Sequence, residues 1–305
     1  VIKDTKTFNF IGKKNIFFCI SAALILIGIV TVSVNGARGK GMFNYGLDFK
    51  GGTSTTVTFN QDYSQSEIES TIIPDIVSAI GDSTVQQQKV QGGNDVVFKT
   101  NNLTIEQREA LEKLFTSKYG VEQSSILTEN ISGAVSNEMK TDAVVAVIIA
   151  TICMLLYIWF RFKDIRFAGS AVLALLHDVL VVVGFYAVAR ITLGNTFIAC
   201  MLTIVGYSIN ATIVIFDRIR ENLGQMGKAD LAEIVNASIS QTMRRSVYTT
   251  LTTFIMVVIL FILGVSAIRE FAAPLMVGII CGGYSSVCIT GALWYVLKKG
   301  VKKNK

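Results

Sequence analysis

Residues 167–189, FAGSAVLALLHDVLVVVGFYAVA, constrain this chain more than any other stretch. They are apolar except at the centre, where His177 and Asp178 stand side by side. About 20 apolar residues in a helix cross the hydrocarbon core of a bilayer. An acid and the chain's single histidine at the midpoint of such a helix are costly in lipid. They persist only where they face a partner or a water-filled path. Two readings follow: a structural pair that joins one helix to another by hydrogen bonds, or a proton or ion relay.

Composition bears on which class of chain can hold such a segment. Of 305 residues, 51% are hydrophobic and 16% charged, and the mean hydropathy is +0.52. That balance excludes an ordinary soluble globule and predicts a polytopic membrane protein. The net charge of +6 is no nucleic-acid signal, because no basic patch is interleaved with exposed aromatics. Cys19, Cys153, Cys200, Cys281 and Cys288 all fall in apolar runs. They make neither a disulfide framework nor a metal-ligand spacing, and read as small buried hydrophobes. The first residue is Val, so the N-terminus is expected to be processed, trimmed or internal to a longer fused chain. The first apolar run has no Ala-x-Ala cleavage site and is expected to stay as a span.

Six runs are expected to cross as helices: 15–34, 143–160, 167–189, 196–216, 247–265 and 271–297. Gly194-Asn195 marks a tight turn between the third and fourth. Residues 229–243 read as a short amphipathic helix lying at the interface, and 266–270 as a short turn. The chain thus divides into an N-terminus with the first span (1–34), a soluble domain (35–140), spans two to six (141–297) and a basic tail (298–305).

Residues 35–140 hold 13 of the 22 acids and no long apolar run. Within them, 53–60 reads as a strand. Residues 64–80 read as a helix: Ser64 and Glu67 make a capping box, and Ile68, Ile72, Ile76 and Ile80 repeat every four residues. Pro74 predicts a break or kink in it. Strands are expected at 85–91 and 95–100, joined through Gly92-Gly93-Asn94. Thr104 and Gln107 cap a second helix over 104–119, Gly120 ends it, and 121–127 is the last strand. The order β-α-β-β-α-β predicts a ferredoxin-like α+β domain between the first two spans.

Charge placement predicts orientation. Lys3, Lys6, Lys13 and Lys14, then Arg161, Lys163 and Arg166, five basic residues in 217–245 and five in the tail all lie on one side. The short loops of the other side hold Arg190 and Arg269. The positive-inside rule places both termini in the cytoplasm and the soluble domain outside.

Two further polar stripes stand out. Thr203, Tyr207, Asn210 and Asp217 share one helical face, and Arg245 leads into a run with Thr249 and Thr252. Both stripes are expected to face the bundle interior, because lipid gives them no partner. With the third span they would enclose a hydrated track, with Asn210 about two turns in from the cytoplasm and Arg245 near its entrance. The plain alternative for the threonines is helix–helix hydrogen bonding, and for Asp217, Arg218 and Arg220 interfacial charge. Gly278 and Gly282 form a Gly-xxx-Gly packing surface. No stretch of the sequence resembles a nucleotide loop, a nucleophile elbow or a metal-ligand motif, so energy, if it is used, is expected from an ion gradient or a partner.

Several segments together resemble the SecF family of the Sec protein-export machinery, within the RND superfamily. They are Gly46-Leu-Asp48-Phe-Lys-Gly51-Gly52-Thr53, Leu176-His177-Asp178-Val179, and the run from Gly206 through Asn210, Asp217 and Arg218 to Asn222. Gln241 to Ser246 with Leu251-Thr-Thr253 adds to them. The resemblance implies pairing with SecD, separately or in one fused chain, in the bacterial cytoplasmic membrane. It implies work beside the SecYEG channel on exported unfolded polypeptide, driven by a proton or sodium gradient with no cofactor. It also assigns a functional role to Arg245. One position departs: the family's Asn-Asp-Thr reads Asn210-Ala211-Thr212 here. Alanine carries no proton. Either Asp178 and partner acids carry the relay, or this chain conducts nothing and supports a partner that does, or Ala211 is an engineered change. The competing functions are therefore a gradient-coupled export subunit, a non-conducting scaffold for SecD and the channel, and an RND-type exporter of lipids or small molecules.

Overall fold

The computed structural model describes residues 7–39, 41–83, 85–89, 93–227, 229–264 and 266–303. The first crossing is α1 (Lys14–Ala37). The chain leaves it through β1 (Asn44–Tyr45) and the single turn α2 (Leu47–Lys50). A sheet domain follows, with β2 (Gly52–Thr58) and then a helix in three pieces: α3 (Gln65–Glu67), a π-helical turn (Ile68–Ile72) and α4 (Ile73–Ile80). It closes with β3 (Gln86–Lys89), β4 (Asp95–Thr100), α5 (Ile105–Tyr119) and β5 (Ile126–Ile131). The strands form one antiparallel sheet in the order β3-β4-β2-β5. That order with these connections is the ferredoxin-like arrangement expected from the periodicity.

Local chemistry accounts for both helices of this domain. The Ser64 hydroxyl accepts from the Glu67 amide, and Glu67 Oε2 accepts from the Ser64 amide at 2.8 Å. Thr104 and Gln107 repeat the box at the start of α5. The isoleucines at four-residue spacing are all buried against Val57, Phe98, Leu111 and Phe115. Pro74 sits in the first turn of α4, directly after the π turn, where a missing amide proton costs least. The last strand differs from the expectation over 121–127. Val121 is buried in the core as a loop residue, Gln123–Ser125 form a 3₁₀ turn, and the strand starts at Ile126. Its register against β2, Val57 opposite Ile126, sets that start, and no local signal encodes it. Of the hairpin residues Gly92-Gly93-Asn94, Gly92 lies outside the described residues.

Asp75 of α4 accepts from Lys118 Nζ at 2.6 Å and Tyr119 Oη at 2.5 Å, tying the two helices together. The Lys118 and Tyr119 hydrogen bonds hold its carboxyl below the ordinary value of 3.8. A carboxyl lowered on folding stabilises above its unfolded pKa and loses that contribution as pH falls through its folded one. Asp75→Asn is therefore expected to speed amide exchange in α4 and α5 at neutral pH. The difference from wild type should begin to shrink as pH falls below 3.8 and vanish only below the lowered folded value. A pH-independent difference would mean that the pair acts by shape alone.

The remaining crossings are α6 (Gly133–Phe162), α7 (Ile165–Ala189), α8 (Asn195–Gln225), α9 (Leu231–Leu263), and a last one built of α10 (Ser266–Tyr284), a π-helical segment (Ser285–Thr290) and α11 (Gly291–Lys303). The short strand β6 (Thr192–Leu193) lies between α7 and α8 and pairs in parallel with β1. Among the described residues, six helices are long and apolar enough to span a bilayer, and this is a membrane protein. Two expectations are corrected. Residues 229–243 are not a separate interfacial helix: α9 runs unbroken from Leu231 to Leu263, about 50 Å. It holds no Gly or Pro to break it, and its polar first half buries Val235, Ser238, Ile239 and Thr242. Residues 266–270 are the first turn of α10 rather than a loop.

Helix α7 is the centre of the bundle, packed by α1, α6, α8, α10 and α11. The last crossing lies on α8 through its glycines. A Cβ on Gly282 would lie 3.1 Å from Ser208 Cβ, and one on Gly278 would overlap Ile204. Gly282→Leu is expected to wedge these helices apart at a cost of about 1–3 kcal/mol. It should lower the midpoint of thermal unfolding, whereas Gly300→Leu, with open space around it, should leave that midpoint unchanged.

Candidate functional site

The close approach of α8 and α10 to α7 builds a polar centre inside an apolar bundle. Asp178 is fully buried and His177 nearly so. Asp178 Oδ1 lies 3.0 Å from His177 Nδ1 and accepts from Cys281 Sγ at 3.3 Å. Its Oδ2 accepts from Ser208 Oγ at 2.6 Å and Ser285 Oγ at 2.7 Å. One carboxylate thus gathers donors from α7, α8, α10 and the π segment. Such a coordinated acceptor is what makes a charge tolerable away from water. His177 Nε2, by contrast, has no hydrogen-bond partner among the described residues.

The π segment explains how the last crossing supplies these groups. Ser285 and Ser286 are adjacent and both fully buried. Ser285 reaches Asp178 while Ser286 Oγ donates to the Ser208 carbonyl at 3.2 Å and meets Thr212 Oγ1 at 3.1 Å. Thr290 Oγ1 bonds back to the Ser285 carbonyl, five residues earlier. Widened helical turns of this kind recur at functional sites.

The other sequence-predicted residues lie elsewhere. Asn210 and Arg245 are exposed, as are Thr203, Thr249 and Thr252. The stripes on α8 and α9 therefore face out of this chain's bundle, which corrects the expectation that they face its interior. Thr249 and Thr252 bond carbonyls of their own helix, not a neighbouring one. Tyr207, Asn210, Ala211, Arg245 and Thr249 line a cavity of about 50 Å³ between α8 and α9. Ser208 and Thr212 occupy the buried face of α8, and Asn210 and Ala211 the face toward α9. No hydrogen bond among the described residues joins the two groups. At the far end of α8, Asp217 pairs with Arg161 at 2.9 Å, and Arg218 pairs with Glu221 and donates to Gln241. The Asp217–Arg161 and Arg218–Gln241 contacts tie α8 to α6 and α9, whereas the Arg218–Glu221 pair lies within α8.

The glycine segment before the sheet domain has a backbone reason. Gly51 and Gly52 have φ of 75° and 140°, a region that side chains disfavour. The Gly46 amide donates to the Leu193 carbonyl at 2.8 Å, so this segment anchors the sheet domain to the α7–α8 connection. Asp48 lies in α2.

Ser208, Cys281 and Ser285 are absent from the sequence-derived candidates. Small hydroxyl and thiol residues in apolar helices are common, and only the Gly278/Gly282 pair hinted that this face would come close to another helix. The cysteines also differ from a uniform buried class: Cys19 and Cys153 are exposed, Cys288 is half-buried, and Cys200 and Cys281 are buried.

Known proteins share this architecture. Residues 110–300 match the family described as protein export membrane protein SecD/SecF, C-terminal, and residues 43–62 match the SecD/SecF GG motif. The protein translocase subunit SecF of Petrotoga mobilis is 36% identical over 310 residues, covering 97% of this chain and 98% of its own. SecF of Acidaminococcus fermentans is 35% identical, with 98% of this chain and 100% of its own covered. A crystal structure of SecDF from Thermus thermophilus superposes with a TM-score of 0.80 at 34% identity, covering 98% of this chain and 39% of that one. With near-complete coverage on both sides and both family patterns in place, the chain belongs to the SecD/SecF family of protein-export membrane proteins.

Proposed function

We propose that this chain is an ion-gradient-coupled accessory subunit of the Sec protein translocase. It acts with a SecD partner in the bacterial cytoplasmic membrane, both termini cytoplasmic, to promote late steps of polypeptide export beside the SecYEG channel. The observation that carries this reading is the Asp178 carboxylate, sealed at mid-span among donors from three crossings, next to an imidazole nitrogen with no partner among the described residues. A carboxylate held only to glue helices needs no such neighbour. Coupling requires two conformations that differ in affinity for the ion, and the convergence of three crossings on one acceptor lets its charge state bias their packing.

The outward face of α8 and α9 supports the partner assignment. An arginine beside the apolar run of a crossing is costly unless water or a polar partner meets it. Arg245 is exposed on this chain and makes no ion pair among the described residues. A SecD-like chain bearing acids would complete that face, as the 98% coverage of this chain by part of a SecDF chain suggests.

A second reading, a non-conducting scaffold for SecD and the channel, is favoured by Ala211, which offers no titratable group in the cavity beside Arg245. Export into vesicles carrying the channel, a SecD-like partner and this chain separates the two. Stimulation by this chain that collapses with an ionophore supports coupling. Stimulation that survives the ionophore supports the scaffold and rejects coupling.

A further inference from the structure

His177, Asp178 and Cys281 bring three different metal-ligand atoms to one point, all on buried residues. His177 Nδ1 and Asp178 Oδ1 are 3.0 Å apart, Cys281 Sγ and Asp178 Oδ1 3.3 Å, and Cys281 Sγ and His177 Nδ1 3.8 Å. A tetrahedral zinc ion has bonds of about 2.3 Å to sulfur, 2.0–2.1 Å to nitrogen and 2.0–2.2 Å to oxygen, which sets its ligand atoms about 3.4–3.6 Å apart. The three separations here lie within about 0.4 Å of that triangle.

We propose that this triad is a site for a thiolate-tolerant divalent cation of the Zn²⁺ class, coordinated by His177, Asp178 and Cys281. Three features beyond the distances support it. The charges balance: a thiolate and a carboxylate neutralise a divalent cation, so the occupied site places no net charge in the bundle. The carboxylate is already oriented, because Ser208 and Ser285 hold Oδ2 and leave Oδ1 turned toward the other two donors. Outer-shell hydroxyls of this kind position ligating carboxylates. The histidine also has a second nitrogen free to carry its proton, since Nε2 is without a partner among the described residues. On binding, the Cys281 thiol loses its proton to solvent, the imidazole proton moves from Nδ1 to Nε2, and the metal takes the vacated sulfur and nitrogen lone pairs. Three protein ligands leave the fourth position for water. Ligands 104 residues apart explain why no spacing in the sequence announces the site.

The inference stands apart from the export reading, and its test reads metal rather than transport. Co²⁺ alone is titrated into the purified full-length chain. The expected result is a thiolate-to-cobalt absorption band saturating at one equivalent per chain and displaced by Zn²⁺. Cys281→Ser should lose the band and weaken binding by more than about 100-fold, since outer-shell losses alone reach that range. His177→Ala should weaken binding comparably, and Cys200→Ser should keep both band and affinity. Zn²⁺ should also raise the unfolding midpoint of the wild-type chain and not that of Cys281→Ser. No saturable band in the wild-type chain, or a band that persists in Cys281→Ser, overturns the proposal.

Discussion

Asp178→Ala is expected to destabilise the bundle by about 3–5 kcal/mol, the range seen when one partner of a buried charged network is removed. The reason is the number of groups that depend on one acceptor. Ser208, Ser285, Cys281 and His177 all direct polar atoms at this carboxylate. Ser285 has the Gly282 carbonyl at 3.3 Å as an alternative, but a stranded buried donor costs about 1–3 kcal/mol. Asp178→Asn is a different experiment. Its carbonyl still accepts from the serines, and the serine hydroxyls or the His177 lone pair accept from its amide once rotors and tautomer adjust. The stability cost should be near 1 kcal/mol. The Asn variant therefore separates structure from coupling: it should assemble with its partner and lose the gradient-dependent part of export. Export unchanged in Asp178→Asn rules out a relay through this residue. A wild-type unfolding midpoint in Asp178→Ala rules out the shared-acceptor account of the bundle.

Arg245→Ala is expected to show the opposite pattern. The side chain is exposed and unpaired among the described residues, so the isolated chain should change stability by no more than about 0.5 kcal/mol. The loss should appear only in the complex, as reduced co-purification with a SecD-like chain and loss of gradient-dependent export. Ala211→Asp is the companion change. It places a carboxylate in the 50 Å³ cavity that Arg245 also lines. Gradient-dependent export should rise in Ala211→Asp, and Arg245→Ala in that background should abolish the gain. Equal export with Ala and Asp at position 211 removes this cavity from the coupling path. Equal assembly and export in Arg245→Ala removes the outward face from the partner interface.

How far the sequence carries differs between the two halves of the molecule. In the sheet domain the signals are local: two capping boxes, an isoleucine every fourth residue, and glycines ending helices each act within a turn or two. The one misplaced strand, β5, takes its register from β2, about 70 residues earlier. In the membrane the apolar runs locate all six crossings, because bilayer thickness sets their length. They do not locate helix ends, since α8 and α9 continue past the hydrocarbon on polar residues that pack against each other.

The site divides along the same line. That the acid at the middle of the third crossing must be shielded from lipid follows from the sequence alone, because no isolated charge is stable there. The residues that shield it were decided by tertiary structure. Gly282 admits Ser208 to contact, and a π turn then aims Ser285 at the same carboxylate. The direction of the α8 and α9 stripes was decided there too. A polar helical face demands a polar neighbour, but periodicity cannot say whether that neighbour belongs to the same chain. Only the packing shows that the interior was already filled around Asp178, leaving Asn210 and Arg245 on the outside.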